Sequence, residues 1–198
     1  MNRKPHYIAA TIICLLFFAS LAFAQEKAKK PLIIQTESKV LTATLMIDKD
    51  TFIKVKGNAI FRLTSGHTDL SLIGIFTFTF FDEERTRIAQ AINTRLNELP
   101  NSLVQGDVIA QFQEGTECPA IYLNFPAINL PISQKKLHFN KFVLEFKFAP
   151  KSLEPEDSDR QSATSIICNL VRAMKVGDLR PHYPIRRLNQ LLYGEENK

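Results

Sequence analysis

From residue 32 to residue 148, apolar and polar side chains mostly alternate with a period of two, the pattern of strands with one face in a core and the other in water. In 51–63, Ile53, Val55, Ala59, Phe61 and Leu63 fall on one face, and Lys54, Lys56, Asn58 and Arg62 on the other. In 68–81, Leu70, Leu72, Phe76, Phe78 and Phe80 oppose Ser71, Thr77 and Thr79. Ile73, Ile75 and Phe81 add apolar groups to the second face, which predicts a central strand covered on both sides. Ser65, Gly66 and His67 form a turn signal between the two runs, so they are expected to be antiparallel neighbours. Alternation returns at Val108, Ala110 and Phe112, in 121–125, and in 141–148, where Phe142, Leu144, Phe146 and Phe148 share a face. Pro119, Pro126 and Pro131 each lack the N–H that a ladder uses, so the strand around Tyr122 is expected to be short, bent or at a sheet edge.

Two regions break this period. Ile88, Ile92, Leu96 and Leu99 recur at helical spacing behind Asp82, Glu83 and Glu84, whose charges suit a helix N-terminus, and Pro100 follows. The pattern predicts one helix over 82–99. Residues 150–160 are acidic and proline-bearing and read as a surface loop. Beyond them Ser158 and Gln161 have capping-box spacing, and Ile167, Leu170, Val171 and Met174 line one face of a helix, with Cys168 beside it. A last amphipathic segment carries Ile185, Leu188, Leu191 and Leu192 after Pro181 and Pro184. The expected class is α+β: a mainly antiparallel sheet of about five to eight strands, an inserted helix at 82–99 and C-terminal helices.

The N-terminus changes the compartment. Arg3 and Lys4 precede an uncharged apolar run over 8–23, and Ala22, Phe23 and Ala24 satisfy the small-residue rule for cleavage before Gln25. The run of about 16 residues is short of the roughly 20 that span a bilayer, so a cleaved signal at 1–24 is expected rather than an anchor. A flexible lead at 25–31 and a single domain at 32–198 follow, exported to the periplasm or the medium, with no transmembrane segment after cleavage. Cys14 leaves with the signal. Two cysteines remain, Cys118 and Cys168, and in an oxidising compartment they permit one disulfide; the alternative is two separate thiols.

Cys118, the run 121–130, the strand 142–148 ending in Ala149-Pro150, Cys168 within Ile167-Cys168-Asn169-Leu170, and the closing Leu188-Asn189-Gln190-Leu191-Leu192 occur in an order that resembles a group of uncharacterised exported bacterial proteins. The resemblance covers residues 117–193. It implies a β-rich exported domain with a cysteine bridge and no established activity. The chain departs from that group in its acidic stretch at 152–159, where a glycine-rich loop is usual, and in the added helix at 82–99.

Composition narrows the chemistry. Losing Arg3 and Lys4 leaves 23 basic against 20 acidic side chains, an excess of +3 that gives no reason to expect nucleic acid as a partner. Fifteen Phe, four Tyr and no Trp read mainly as core. His67, His138 and His182 have no metal-ligand spacing with Cys, Asp, Glu or one another, so neither a metal site nor a cofactor is expected. The seven glycines form no phosphate loop. Ser65 with His67 could suggest a hydrolase, but no Gly-x-Ser-x-Gly elbow accompanies them, and no catalytic residue is assigned. Two binding surfaces are candidates. Arg172, Lys175, Arg180, Arg186 and Arg187 could meet an anionic surface, unless the apolar stripe on their segment docks on its own sheet. Phe76, Phe78, Phe80, Phe142, Phe146 and Phe148 could line a groove for a lipid-like ligand, unless they simply fill the core. The functional expectation is a non-catalytic exported protein that binds an unknown protein or envelope component. A carrier or sensor of an apolar small molecule is the alternative, and a hydrolase of unknown type the second alternative.

Overall fold

The computed structural model describes residues 32–118, 120–147, 158–176 and 182–193. The expected signal and lead, most of the acidic loop, Phe148 and Arg180 lie outside them. Nine strands occur among the described residues: β1 Ile34–Gln35, β2 Lys39–Met46, β3 Phe52–Gly66, β4 Leu72–Phe80, β5 Ser102–Phe112, β6 Ala120–Phe125, β7 Ile128–Ile132, β8 Lys135–Phe139 and β9 Phe142–Lys147. Three helices accompany them, α1 Asp82–Ala91, α2 Ser158–Val176 and α3 His182–Tyr193. Every strand pair is antiparallel, in the order β7-β8-β2-β3-β4-β5-β6-β9 with β1 on β3. The fold is therefore α+β, with more strands than the pattern suggested.

That order forces the sheet to curl. Strands β8 and β9 stand six places apart, about 29 Å in a flat sheet at about 4.8 Å per strand. Only Asn140 and Lys141 connect them, and such a link reaches about 10 Å. The same holds for β6 and β7, joined by Pro126 and Ala127. The two ends of the sheet must therefore meet. Near that closure the Glu37 amide donates to the Glu145 carbonyl at 2.9 Å. Within the sheet, Asp107, with φ of 53°, and the register shift between Gly74 and Phe76 bend the β4–β5 ladder. Leu103 and Val108 can then both point inward despite opposite parity.

Inside the curl, rings from five strands touch. Phe76 of β4 lies 5.5 Å from Phe139 of β8 and 5.3 Å from Phe142 of β9. Phe125 stacks on Phe142 at 4.9 Å and meets Phe61 edge-on at 5.0 Å. Gly74 lets β3 and β4 close here, since a Cβ on it would come within 2.3 Å of the Arg62 carbonyl and 2.5 Å of the Phe61 ring. One end of the curl is covered by α1, where Ile88 is fully buried and Arg87 donates to the Lys54 carbonyl. At the other end α3 packs on β3 through Ile185 and Leu188, and α2 packs on α3.

Three sequence expectations change, and a fourth holds in its first alternative, a short β6. The inserted helix ends at Ala91 rather than 99. Asn93 takes φ of 51°, its amide donates to the Gln90 carbonyl and that of Thr94 to Ala89, which together form a Schellman stop. Leu96 to Glu98 then form a 3₁₀ turn that delivers Leu99 to the core. The β3–β4 turn lies two residues later than expected: Ser65 and Gly66 remain in β3, and the chain reverses over 67–71 with Leu70 at φ of 67°. Leu70 is thus a turn residue and not a strand residue. β4 is central, as expected, but its second face is only half-covered, with Thr79 exposed. β6 is short yet interior, paired with β5 and β9, because its prolines fall outside the strand itself.

Candidate functional site

The β3–β4 turn and helix α3 enclose an open cleft of about 410 Å³ lined by Gly66, His67, Thr68, Ile185, Arg186, Asn189, Gln190 and Tyr193. Its two walls are locked by one side chain. The Asn189 carboxamide accepts from the Gly66 amide at 2.7 Å and donates to the Gly66 carbonyl at 3.1 Å, as another strand would. Asn189 stands four residues after Ile185 and next to Leu188, a polar group inside the buried stripe, and such a group must find hydrogen bonds. That misfit within the stripe is the signal that could have singled it out.

We expect Asn189→Ala to lower the melting temperature by about 5 °C. It leaves the half-buried amide and carbonyl of Gly66 without these partners, a loss of about 1–3 kcal/mol, at roughly 2–4 °C per kcal/mol for a chain of this size. Thermal melting followed by circular dichroism tests this, and a melt within 1 °C of the unchanged chain would remove Asn189 as the clamp.

The turn is fixed by Asp69. Its carboxylate accepts from the Ser71 hydroxyl and, at 2.9 Å, from the Ser71 amide, and lies 3.2 Å from His67 Nδ1. The Ser71 hydroxyl first, then the Ser71 amide and His67, hold the Asp69 carboxyl below its ordinary range. This bears on the hydrolase alternative. An orienting acid is present beside His67, which the sequence did not reveal, but the serine nearest it donates to the acid rather than to the imidazole. Among the described residues no hydrogen bond joins Ser65 to His67, so a nucleophile-to-base relay is not assembled here.

Of the groove candidates, Phe76, Phe78, Phe80 and Phe146 are buried and Phe142 is half-buried. Phe76 and Phe142 touch each other, Phe78 meets Phe80 at 5.4 Å, and Phe78 also meets Phe139 at 4.8 Å. Phe148 lies outside the described residues. Phe76, Phe78, Phe80 and Phe142 thus each touch another ring inside the curl. Of the basic candidates, Lys175 pairs with Glu117, whose carboxyl it holds below the ordinary range, Arg172 reaches Asn169, and Arg187 reaches Gln190. Arg186 lines the cleft. The stripe Ile185, Leu188, Leu191 and Leu192 is buried against the protein's own body and is not free to enter a membrane.

Cys118 and Cys168 form the disulfide, with Cα atoms 5.9 Å apart. Among the described residues, no three His, Cys, Asp or Glu side chains gather as a metal site would require, and no helix is long and apolar enough to cross a membrane. No family model, curated protein or solved structure matches this chain.

Proposed function

We propose that this chain is an exported, non-catalytic binding protein of the cell envelope or its surroundings, and that it takes a small anionic ligand in the cleft between the β3–β4 turn and α3. The observation that carries this reading is the cleft itself. Its volume lies within the range of small-molecule sites, it gathers the donors of Arg186, Thr68 and His67 around the apolar walls of Ile185 and Tyr193, and the Asn189 clamp holds those walls in place before any ligand arrives. A guanidinium on one wall and an imidazole on the other suit a carboxylate or phosphate between them, and the Tyr193 ring suits a flat apolar remainder. Export is supported by the Cys118–Cys168 bridge and by the apolar run that follows Arg3 and Lys4. The apolar-carrier alternative ranks second because the rings that would line its cavity are already in mutual contact.

Nuclear magnetic resonance titration of the ¹⁵N-labelled chain with 4-hydroxybenzoate, succinate and inorganic phosphate tests the reading. At least one anion should give saturable shifts at His67, Thr68, Arg186 and Gln190, and Arg186→Glu should weaken it at least tenfold. No shift at these residues up to tens of millimolar would refute the anion site. A lipid that stays bound through native mass spectrometry would favour the carrier instead.

A further inference from the structure

The outer face of the sheet carries a charge pattern unrelated to the cleft. On β2, β3, β4, β7 and β8 its outward positions are Val40, Thr42, Thr44 and Met46; Phe52, Lys54, Lys56, Asn58, Ile60 and Arg62; Ile73, Ile75, Thr77 and Thr79; Asn129 and Pro131; and Lys136 and His138, whereas β5 and β9 carry the outward acids Asp107 and Glu145. None of the 20 acidic side chains of the chain occupies any of these positions on β2, β3, β4, β7 and β8. Solvated protein faces ordinarily intersperse both signs, and a single-sign face creates a directed field. Among the described residues, no carboxylate forms an ion pair with Lys54, Lys56, Arg62 or Lys136. Lys54 instead donates to the Thr44 hydroxyl and lies 5.9 Å over the Phe52 ring.

At the free end of this face, Met46 and Phe52 are cross-strand partners and are 60% and 61% exposed, with Val40 at 55% further along β2. A methionine and a phenylalanine left in water at a hairpin end, beside cations that no carboxylate pairs among the described residues, form an exposed apolar patch. The tip between them carries Asp48, Lys49 and Asp50, and the acidic first turn of α1 lies near β3, where Arg87 engages Glu84. These acids border the face and do not enter it.

We propose that the β2–β3 face docks on an anionic phospholipid surface, with Met46 and Phe52 inserted among the headgroups and Lys54, Lys56 and Lys136 set against the phosphates. A membrane satisfies both halves of the pattern, since it offers an apolar layer directly beneath a plane of negative charge. The surface is independent of the cleft, which opens at the opposite end of β3.

The test is flotation of the full chain with phosphatidylglycerol–phosphatidylcholine vesicles and with pure phosphatidylcholine vesicles. Residues 8–23 are themselves apolar, so the readout is the difference between chains of equal length. At about fivefold per lysine, Lys54→Gln with Lys56→Gln should reduce binding to the anionic vesicles about 25-fold and leave binding to neutral ones unchanged. Met46→Ser with Phe52→Ser should reduce it at least tenfold. All four side chains are exposed, so the variants should melt as the unchanged chain does. Should either pair fail to fold, the salt dependence of the unchanged chain decides: binding to anionic vesicles must fall steeply between 50 and 300 mM salt, by roughly the Debye screening of surface charge. Equal binding by chain and variants, or salt-independent binding, overturns the proposal. So does a dimer in sedimentation that Met46→Ser with Phe52→Ser abolishes while vesicle binding persists, which would make the face a contact between copies.

Discussion

Replacing Phe76 by alanine should cost about 3–5 kcal/mol and lower the melting temperature by about 10 °C. Phe76 is fully buried on β4, the middle of the sheet, and its ring meets Phe125 of β6, Phe139 of β8 and Phe142 of β9. Those strands reach it from both ends of the strand order. Among the described residues no ladder joins β6 to β7 or β8 to β9, so packing, more than backbone hydrogen bonding, holds the two ends of the sheet together. A void at Phe76 removes the contact that both ends share. Amide exchange should therefore speed up first in β8 and β9, while β3 and β4, with a long mutual ladder, stay protected. Phe81→Ala, at a partly exposed ring, provides the control and should cost under about 1 kcal/mol. If Phe76→Ala melted within 2 °C of the unchanged chain, the interior would hold space that the ring contacts do not suggest.

The strands of this fold were legible because their signal is local. Val55, Ala59, Phe61 and Leu63 are buried while Lys54, Lys56 and Arg62 are exposed, as strict alternation requires. What alternation cannot carry is the order of strands, and here the order determines everything about the interior. The two-residue links at 126–127 and 140–141 look in sequence like ordinary hairpins, yet they join strands from opposite ends of the sheet. Whether Phe76, Phe78 and Phe142 line a groove or fill a core depends on that closure, so periodicity left both open. The end of the inserted helix was misplaced for a different reason: Asn93 stops α1 through a left-handed conformation that asparagine tolerates, and Asn is a weaker written signal than Gly.

The cleft was less legible still. His67 lies more than a hundred residues from Arg186 and Asn189 along the chain, and only the docking of α3 on the end of β3 brings them together. The apolar stripe beside the expected anionic contact faces the core, and Arg186 lines the cleft. The cationic face of β2, β3 and β8 was present in the alternation from the start, in Lys54, Lys56 and Arg62, but its freedom from carboxylates emerges only when the register sets Thr44 against both Lys54 and His138.

Replacing Cys168 by serine should lower the melting temperature by about 10 °C. Closing a ring of 50 residues removes chain entropy from the unfolded state, which in the loop model is about 4 kcal/mol of stability, and at roughly 2–4 °C per kcal/mol the shift is large. The bridge also has a structural position that makes its loss local. Helix α2 packs mainly on α3, which in turn packs on β3, and Cys168 is its covalent tie to the turn before β6. The second tie at that junction, Lys175 to Glu117, is a surface pair of little net worth and cannot replace it. Ala163, Ile167, Leu170 and Val171 remain buried partners of the core, so α2 should stay helical but dock more weakly. Far-ultraviolet circular dichroism at 25 °C should then be unchanged, while amide exchange across 163–174 accelerates and the melting transition moves down. A double variant, Cys118→Ser with Cys168→Ser, should match the single one, because either alone opens the ring. Two free thiols in the denatured, unreduced chain that lacks residues 1–24 and with them Cys14, or a melt that the substitution does not move, would show that sulfur does not join α2 to the sheet.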